Sequence, residues 1–136
     1  MPDNLDALKG MVDKLLSEVD TAKKTAETSL NEVKELNSKI AQIISDALDV
    51  FGTSECSFAV GKATVKLLRT NYDPGYHIYY NNTCIFSTSS PILTLMYSET
   101  IASVLTIAVK YASQQARYMQ KRLERARTVL GSVEKS

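Results

Sequence analysis

The chain opens with apolar residues at alternating spacings of four and three: Leu5, Leu8, Val12, Leu15, Val19, Ala22, Ala26, Ser29, Val33, Leu36, Ile40, Ile43, Ala47 and Val50. Only Ser29 breaks the series. This spacing is the heptad signature of a helix with one continuous apolar stripe. Lys, Glu and Asp fill the other faces, and no proline falls between residues 3 and 73. The pattern predicts one helix over 3–51, with Asp3 as N-cap and Gly52 as the stop. At about 1.5 Å per residue it would be roughly 70 Å long, more than a small domain can cover with its own surface. A second series starts at Ser98: Ala102, Leu105, Val109, Ala112, Ala116, Met119, Leu123, Ala126, Leu130 and Val133. It predicts a helix over 91–131, entered through Ser87-Thr88-Ser89-Ser90-Pro91 with the proline in its first turn.

Between the helices the period falls to two. Residues 53–61 read as a linker with room for a short strand at 57–60. Ala63, Val65 and Leu67 then alternate with Lys62, Thr64 and Lys66, the pattern of a half-buried strand. Asn71-Tyr72-Asp73-Pro74-Gly75 is a turn cluster, residues 76–80 a second strand, and residues 83–87 a third. Asn81-Asn82 suits a two-residue hairpin, which would set Ile78 opposite Ile85, His77 opposite Phe86 and Tyr79 opposite Cys84. The expected fold is α+β: one domain over 1–136, with long helices at 3–51 and 91–131 flanking a three-stranded antiparallel β-meander at 61–88. The order is α-β-β-β-α, with the helices forming an antiparallel coiled-coil-like pair.

Charge sharpens that expectation. Over 136 residues the net charge is only +1, with 44% hydrophobic and 23% charged residues, an ordinary globular balance. Residues 1–50, however, carry ten acids against six bases, and residues 92–136 carry seven bases against three acids. An antiparallel pair would bring Arg122, Arg125 and Arg127 alongside Glu18, Asp20 and Asp13, and such pairs select an orientation even where each contributes little. The same basic face, Arg117, Lys121, Arg122, Arg125 and Arg127, has a second reading as a phosphate-contacting surface.

Catalytic chemistry has little to stand on. His77 is the single histidine, and no nucleophile elbow, phosphate loop or paired-carboxylate motif is present. Cys56 and Cys84 match no zinc spacing and read as half-buried thiols. Glu99 is an isolated acid in an apolar stretch, better placed to meet a hydroxyl, a lysine or water than to act as a buried acid. Residues 91–109 are interrupted by Glu99 and by several hydroxyl side chains, so they read as a buried or oligomeric helix rather than a membrane span. The expectation is a non-enzyme without cofactor, metal or small-molecule substrate. With no apolar signal core at the N-terminus, the Asn81 sequon reads as a turn and the expected location is cytoplasmic. Tyr72, Tyr76, Tyr79, Tyr80 and Phe86 put aromatic side chains on both sheet faces. One face would cover the start of the last helix and the other would need a partner. Tyr76, Tyr79, Tyr80, Phe86, Ile101 and Leu105 are therefore the expected protein interface.

The plan of long helix, small β element and long helix resembles that of a prefoldin subunit, and Val60-Gly61-Lys62-Ala63-Thr64-Val65-Lys66 is similar to the strand entry of beta-type prefoldin subunits. That resemblance implies a coiled-coil arm and strands that assemble an oligomer. Three strands, a tyrosine-rich sheet and the apolar 91–109 stretch depart from the pattern. The helix, three strands, helix order also resembles that of small nucleoid-associated proteins. Both are likenesses of architecture. The expected function is a coiled-coil assembly protein, a homo-oligomer or a small subunit of a larger complex. The alternative is a nucleic-acid-binding protein or nucleoprotein subunit using the basic face.

Overall fold

The structure, a computed structural model, describes residues 2–71 and 75–135, and side chains over 4–71 and 75–133. It is α+β. Helix α1 spans Pro2–Phe51 without a break. Asp3 lies inside the helix rather than capping it, and its side chain is outside the described residues. The helix ends where the sequence predicts. Gly52 takes φ +69°; its N–H donates to the Asp49 carbonyl and the Thr53 N–H donates to the Leu48 carbonyl. Those paired bonds are a Schellman stop, which favours glycine because a Cβ disfavours the left-handed conformation.

Four strands follow, not three: β1 Glu55–Val60, β2 Ala63–Thr70, β3 Gly75–Tyr80 and β4 Thr83–Ser87, paired antiparallel in chain order. The stretch expected to be mainly linker is an edge strand that starts two residues earlier than the short segment considered. It turns into β2 through Gly61, at φ +62°, and Lys62. The expected turn at 71–75 falls partly outside the described residues, which omit Tyr72, Asp73 and Pro74. Asn81 and Asn82 both adopt positive φ, 47° and 69°, as a primed two-residue hairpin requires. Tyr79 opposes Cys84 as expected, but Ile78 opposes Phe86 and His77 opposes Ser87, because a bulge shifts the register between Ile78 and Tyr79. The extra residue lets Ile85 and Phe86 both be buried.

The last helix is in two pieces. Helix α2 spans Ile92–Met96 and helix α3 spans Ser98–Lys135. Tyr97, at φ −121° and ψ 25°, breaks the geometry between them. The hydrogen-bond ladder still crosses it, from the Tyr97 N–H to the Leu93 carbonyl and from the Ile101 N–H to the Tyr97 carbonyl. No side chain caps α2; Pro91 occupies that position.

Both long helices cross one face of the sheet. On α1, Asn37 bonds Thr88 just past β4, Ser45 meets Tyr76 of β3 and Arg69 of β2, and Asp49 meets Arg69. Helix α2 lies against β4, and farther along Tyr111 of α3 packs edge-on against Phe58 of β1, ring centroids 5.8 Å apart. Each helix therefore travels from the β4 edge to the β1 edge, and over the sheet the two run parallel. The core forms where they meet it: Ile44 and Leu48 from α1, Val65, Leu67, Ile78 and Phe86 from the strands, and Ile101, Val104 and Ala108 from α3.

Candidate interaction surfaces

Parallel crossing sends the two helices out of the fold at opposite ends. Every described residue of α1 from Asn4 to Glu32 is exposed, and so is every residue of α3 from Tyr118 to Leu130. The pairing expected between Arg122, Arg125 and Arg127 and Glu18, Asp20 and Asp13 does not form within the chain: the two segments project past opposite edges of the sheet. Leu8 remains 55% exposed and Val19 64%. On the other projection Leu123 is 50% and Leu130 62% exposed. These values are far above those of a stripe seated against a partner helix. The helices hold themselves locally. Lys24 pairs with Asp20 at 3.2 Å one turn away, and Lys39 with Glu35 at 3.7 Å, each worth only about 0.2–0.5 kcal/mol.

Within the fold, the heptad series is offset from the face that packs. The buried positions of α1 are Val33, Asn37, Ala41, Ile44, Ala47 and Leu48, whereas the seam residues Leu36 and Ile43 stay exposed. The seams meet instead along the outer side of the helix layer. Ile43, Ala47 and Val50 of α1 face Val109, Ala112 and Ala116 of α3 across an open groove of about 290 Å³, edged by Asp46 and Ser113. Ala47, Ala112 and Ala116 leave it room, and past Ala116 it meets the uncovered α3 stripe.

The expected interface residues divide between the two faces of the sheet. Phe86 and Ile101 are 0% and 2% exposed and belong to the core; they are not available to a partner. Tyr76, Tyr80 and Leu105 pack against that core from the same side. Tyr76 also donates its hydroxyl proton to Ser45 at 3.0 Å. Only Tyr79 lies on the open face, where register places it in one row with Lys66 and Cys84, next to the row of Leu68 and His77. That face is mixed rather than greasy. Ser57, Thr64, Lys66, Leu68, Tyr79 and Asn82 line a depression of about 390 Å³, and Lys66 pairs with Glu55 at 3.0 Å.

A polar cluster ties α1 to the sheet. Arg69 donates to the Ser45 carbonyl and hydroxyl, both at 3.2 Å, and to Asp49 at 2.8 Å. Its guanidinium sits 5.5 Å from the centre of the Tyr76 ring. The hydrogen bond to Asp49 holds the Arg69 pKa above its ordinary value, so this cation is permanent. A second tie is buried Asn37, which donates to the Thr88 carbonyl at 3.1 Å and accepts from the Thr94 hydroxyl at 2.8 Å. Periodicity could not find it, because asparagine stands in what reads as a polar position.

The candidate chemical residues are dispersed. His77 lies on the open sheet face, 6.3 Å from the Tyr79 ring. Glu99 is exposed in the first turn of α3, where it favours the helix dipole. Cys56 and Cys84 are free and half-buried on opposite sheet faces; burial pushes the Cys56 thiol up, making it a poor nucleophile. Among the described residues no cluster of His, Cys, Asp and Glu is placed to hold a metal ion, and no helix is long and apolar enough to cross a membrane. Arg117, Lys121, Arg122, Arg125 and Arg127 are carried by the α3 projection. Arg117 is at its base; all five are exposed, and none is in a salt bridge with another described residue. Comparison of the chain with protein-family models, with curated proteins and with solved structures finds no match, so the surfaces themselves are the guide to function.

Proposed function

We propose that this protein is a non-enzymatic assembly element, whose small α+β head presents two helical projections for coiled-coil pairing with other chains. One observation carries the reading: both projections keep an apolar stripe in solvent, interrupted only at Ser29. Isolated helices draw most of their stability from a packed apolar face, so a stripe this long asks for a partner. Fully burying a Leu or Val side chain stabilises by about 1.5–3 kcal/mol. Covering the half-exposed stripe of Leu5, Leu8, Val12, Leu15 and Val19 therefore contributes about 4–8 kcal/mol, against an association cost of about 4–15 kcal/mol. That stripe alone meets only the lower part of the cost, and covering both projections brings the two into balance.

Sedimentation velocity on the full chain tests this. The expected result is a species heavier than the 15.0 kDa chain, reduced to a monomer by Leu8→Lys with Leu15→Lys while the fold of the head is kept. A compact monomer at high micromolar concentration, with no partner recovered, sinks the reading. A second reading, phosphate contact by the basic α3 projection, is supported by five exposed cations near one another. It predicts a gel shift that weakens steeply with salt and is lost in Arg122→Glu with Arg125→Glu.

A further inference from the structure

We infer that the partner of these projections is a second copy of this chain, docked antiparallel so that each acidic α1 projection lies along the basic α3 projection of the other copy. The inference rests on the assembly reading above and adds the occupant and its orientation.

Three observations lead to it. The first is charge. Residues 4–32 carry six acids and four bases, net −2, while residues 117–133 carry five bases and one acid, net +4. Two basic projections side by side would repel, and the acidic one is the complement this chain supplies. The second is direction. Because both helices cross from β4 to β1, a chain cannot fold its own acidic projection back onto its basic one. A two-fold axis perpendicular to the helices reverses the second copy and brings each acidic projection to the side where the other's basic one emerges. The third is the groove of Ile43, Ala47 and Val50 facing Val109, Ala112 and Ala116. It is open and apolar and runs on into the α3 stripe, so a partner α1 laid antiparallel along residues 117–133 covers it with the base of its own projection, and the two-fold repeats that contact on the other side. Pairing acidic projections with each other would leave the basic stripes bare.

The test uses two full-length variants. One reverses the basic projection with Arg122→Glu, Arg125→Glu and Arg127→Glu; the other reverses the acidic one with Asp13→Lys, Glu18→Lys and Glu27→Lys, sparing the Asp20–Lys24 pair. Light scattering after size exclusion at low salt should show the unaltered chain as a dimer. Each variant alone should bind itself at least about tenfold more weakly, and an equimolar mixture should regain the dimer, because mixing restores opposite charge on both sides. Circular dichroism checks that the variants keep their heads. A measurement needing no variant is carbodiimide cross-linking of mixed 14N- and 15N-labelled chains, which should join Lys121 of one copy to a carboxylate within residues 4–32 of the other. If each variant dimerises as well as the unaltered chain, or links join residues 4–32 of both copies, antiparallel docking is overturned while the assembly reading stands. If the unaltered chain stays monomeric at every concentration and is retarded by DNA at low salt, both fall and the basic projection belongs to phosphate.

Discussion

Asn37 shows how one polar side chain fixes a packing register. It is 4% exposed, and its amide spans α1, the turn after β4 and α2. Replacing it with leucine would leave the Thr94 hydroxyl and the Thr88 carbonyl without their partner in a closed site. An unsatisfied buried group costs about 1–3 kcal/mol, so Asn37→Leu should lower the unfolding free energy by that amount in urea melts. Asn37→Asp should be at least as damaging, because a carboxylate cannot donate to the Thr88 carbonyl. If Asn37→Leu instead leaves stability unchanged, the amide is incidental to the docking of α1. Arg69 does comparable work two turns farther along α1, reached from Thr88 through Tyr76, but its Nε is buried without a hydrogen-bond partner. The cluster therefore exchanges some hydrogen-bond completeness for a cation held between Asp49 and Tyr76.

At the scale of elements, the stop of α1 offers a clean test. A Cβ built on Gly52 meets nothing within 4 Å, so Gly52→Ala isolates the backbone effect of φ +69°. The left-handed conformation costs a residue with a Cβ about 1–2 kcal/mol, and the melting temperature should fall accordingly without loss of the fold. An unchanged melting temperature would mean that the stop tolerates a side chain. The element boundaries were largely legible from periodicity. The heptad series predicts α1 to the residue at its C-terminus, and Asn81-Asn82 announces its turn. Edge strand β1 was less legible, because Glu55, Ser57 and Ala59 leave only Cys56, Phe58 and Val60 as an apolar face. The bulge at Ile85 leaves no mark in composition at all. The seam also misleads inside the head: it follows the largest stripe, whereas the sheet selects a face offset from it, through Asn37, Ala41, Ile44 and Leu48.

Helix direction was the part of the site least legible from sequence. Opposite charge on the terminal helices suggests a hairpin of rods within one chain. The meander carries the chain sideways instead, one strand at a time at about 4.8 Å each. The helix after β4 must return over the sheet, in the sense α1 had already taken to reach β1. The charges remain complementary but cannot meet in one chain. A measurable consequence belongs to the whole molecule. At dilutions where the chain is monomeric, backbone amides of residues 5–30 and 118–130 should exchange with deuterium much faster than those around Ile44, Leu67 and Val104, since local opening there disrupts no packed core. Raising the concentration should protect the helical ends and leave the centre unchanged. Equal protection of ends and centre in the dilute monomer would mean that another part of the chain shelters the ends.

The break at Tyr97 has a mechanical implication. Force applied along α3 is taken up first where Tyr111, Ala108, Val104 and Ile101 pack on the sheet; only what passes on through the Ile101-to-Tyr97 and Tyr97-to-Leu93 hydrogen bonds arrives at Thr94 and its link to Asn37. Force along α1 arrives at the Asn37 tie through unbroken helix. Both levers are thus rigid to the fulcrum, and the joint at Tyr97 lies behind it, where it spares the Asn37–Thr94 tie from load on α3.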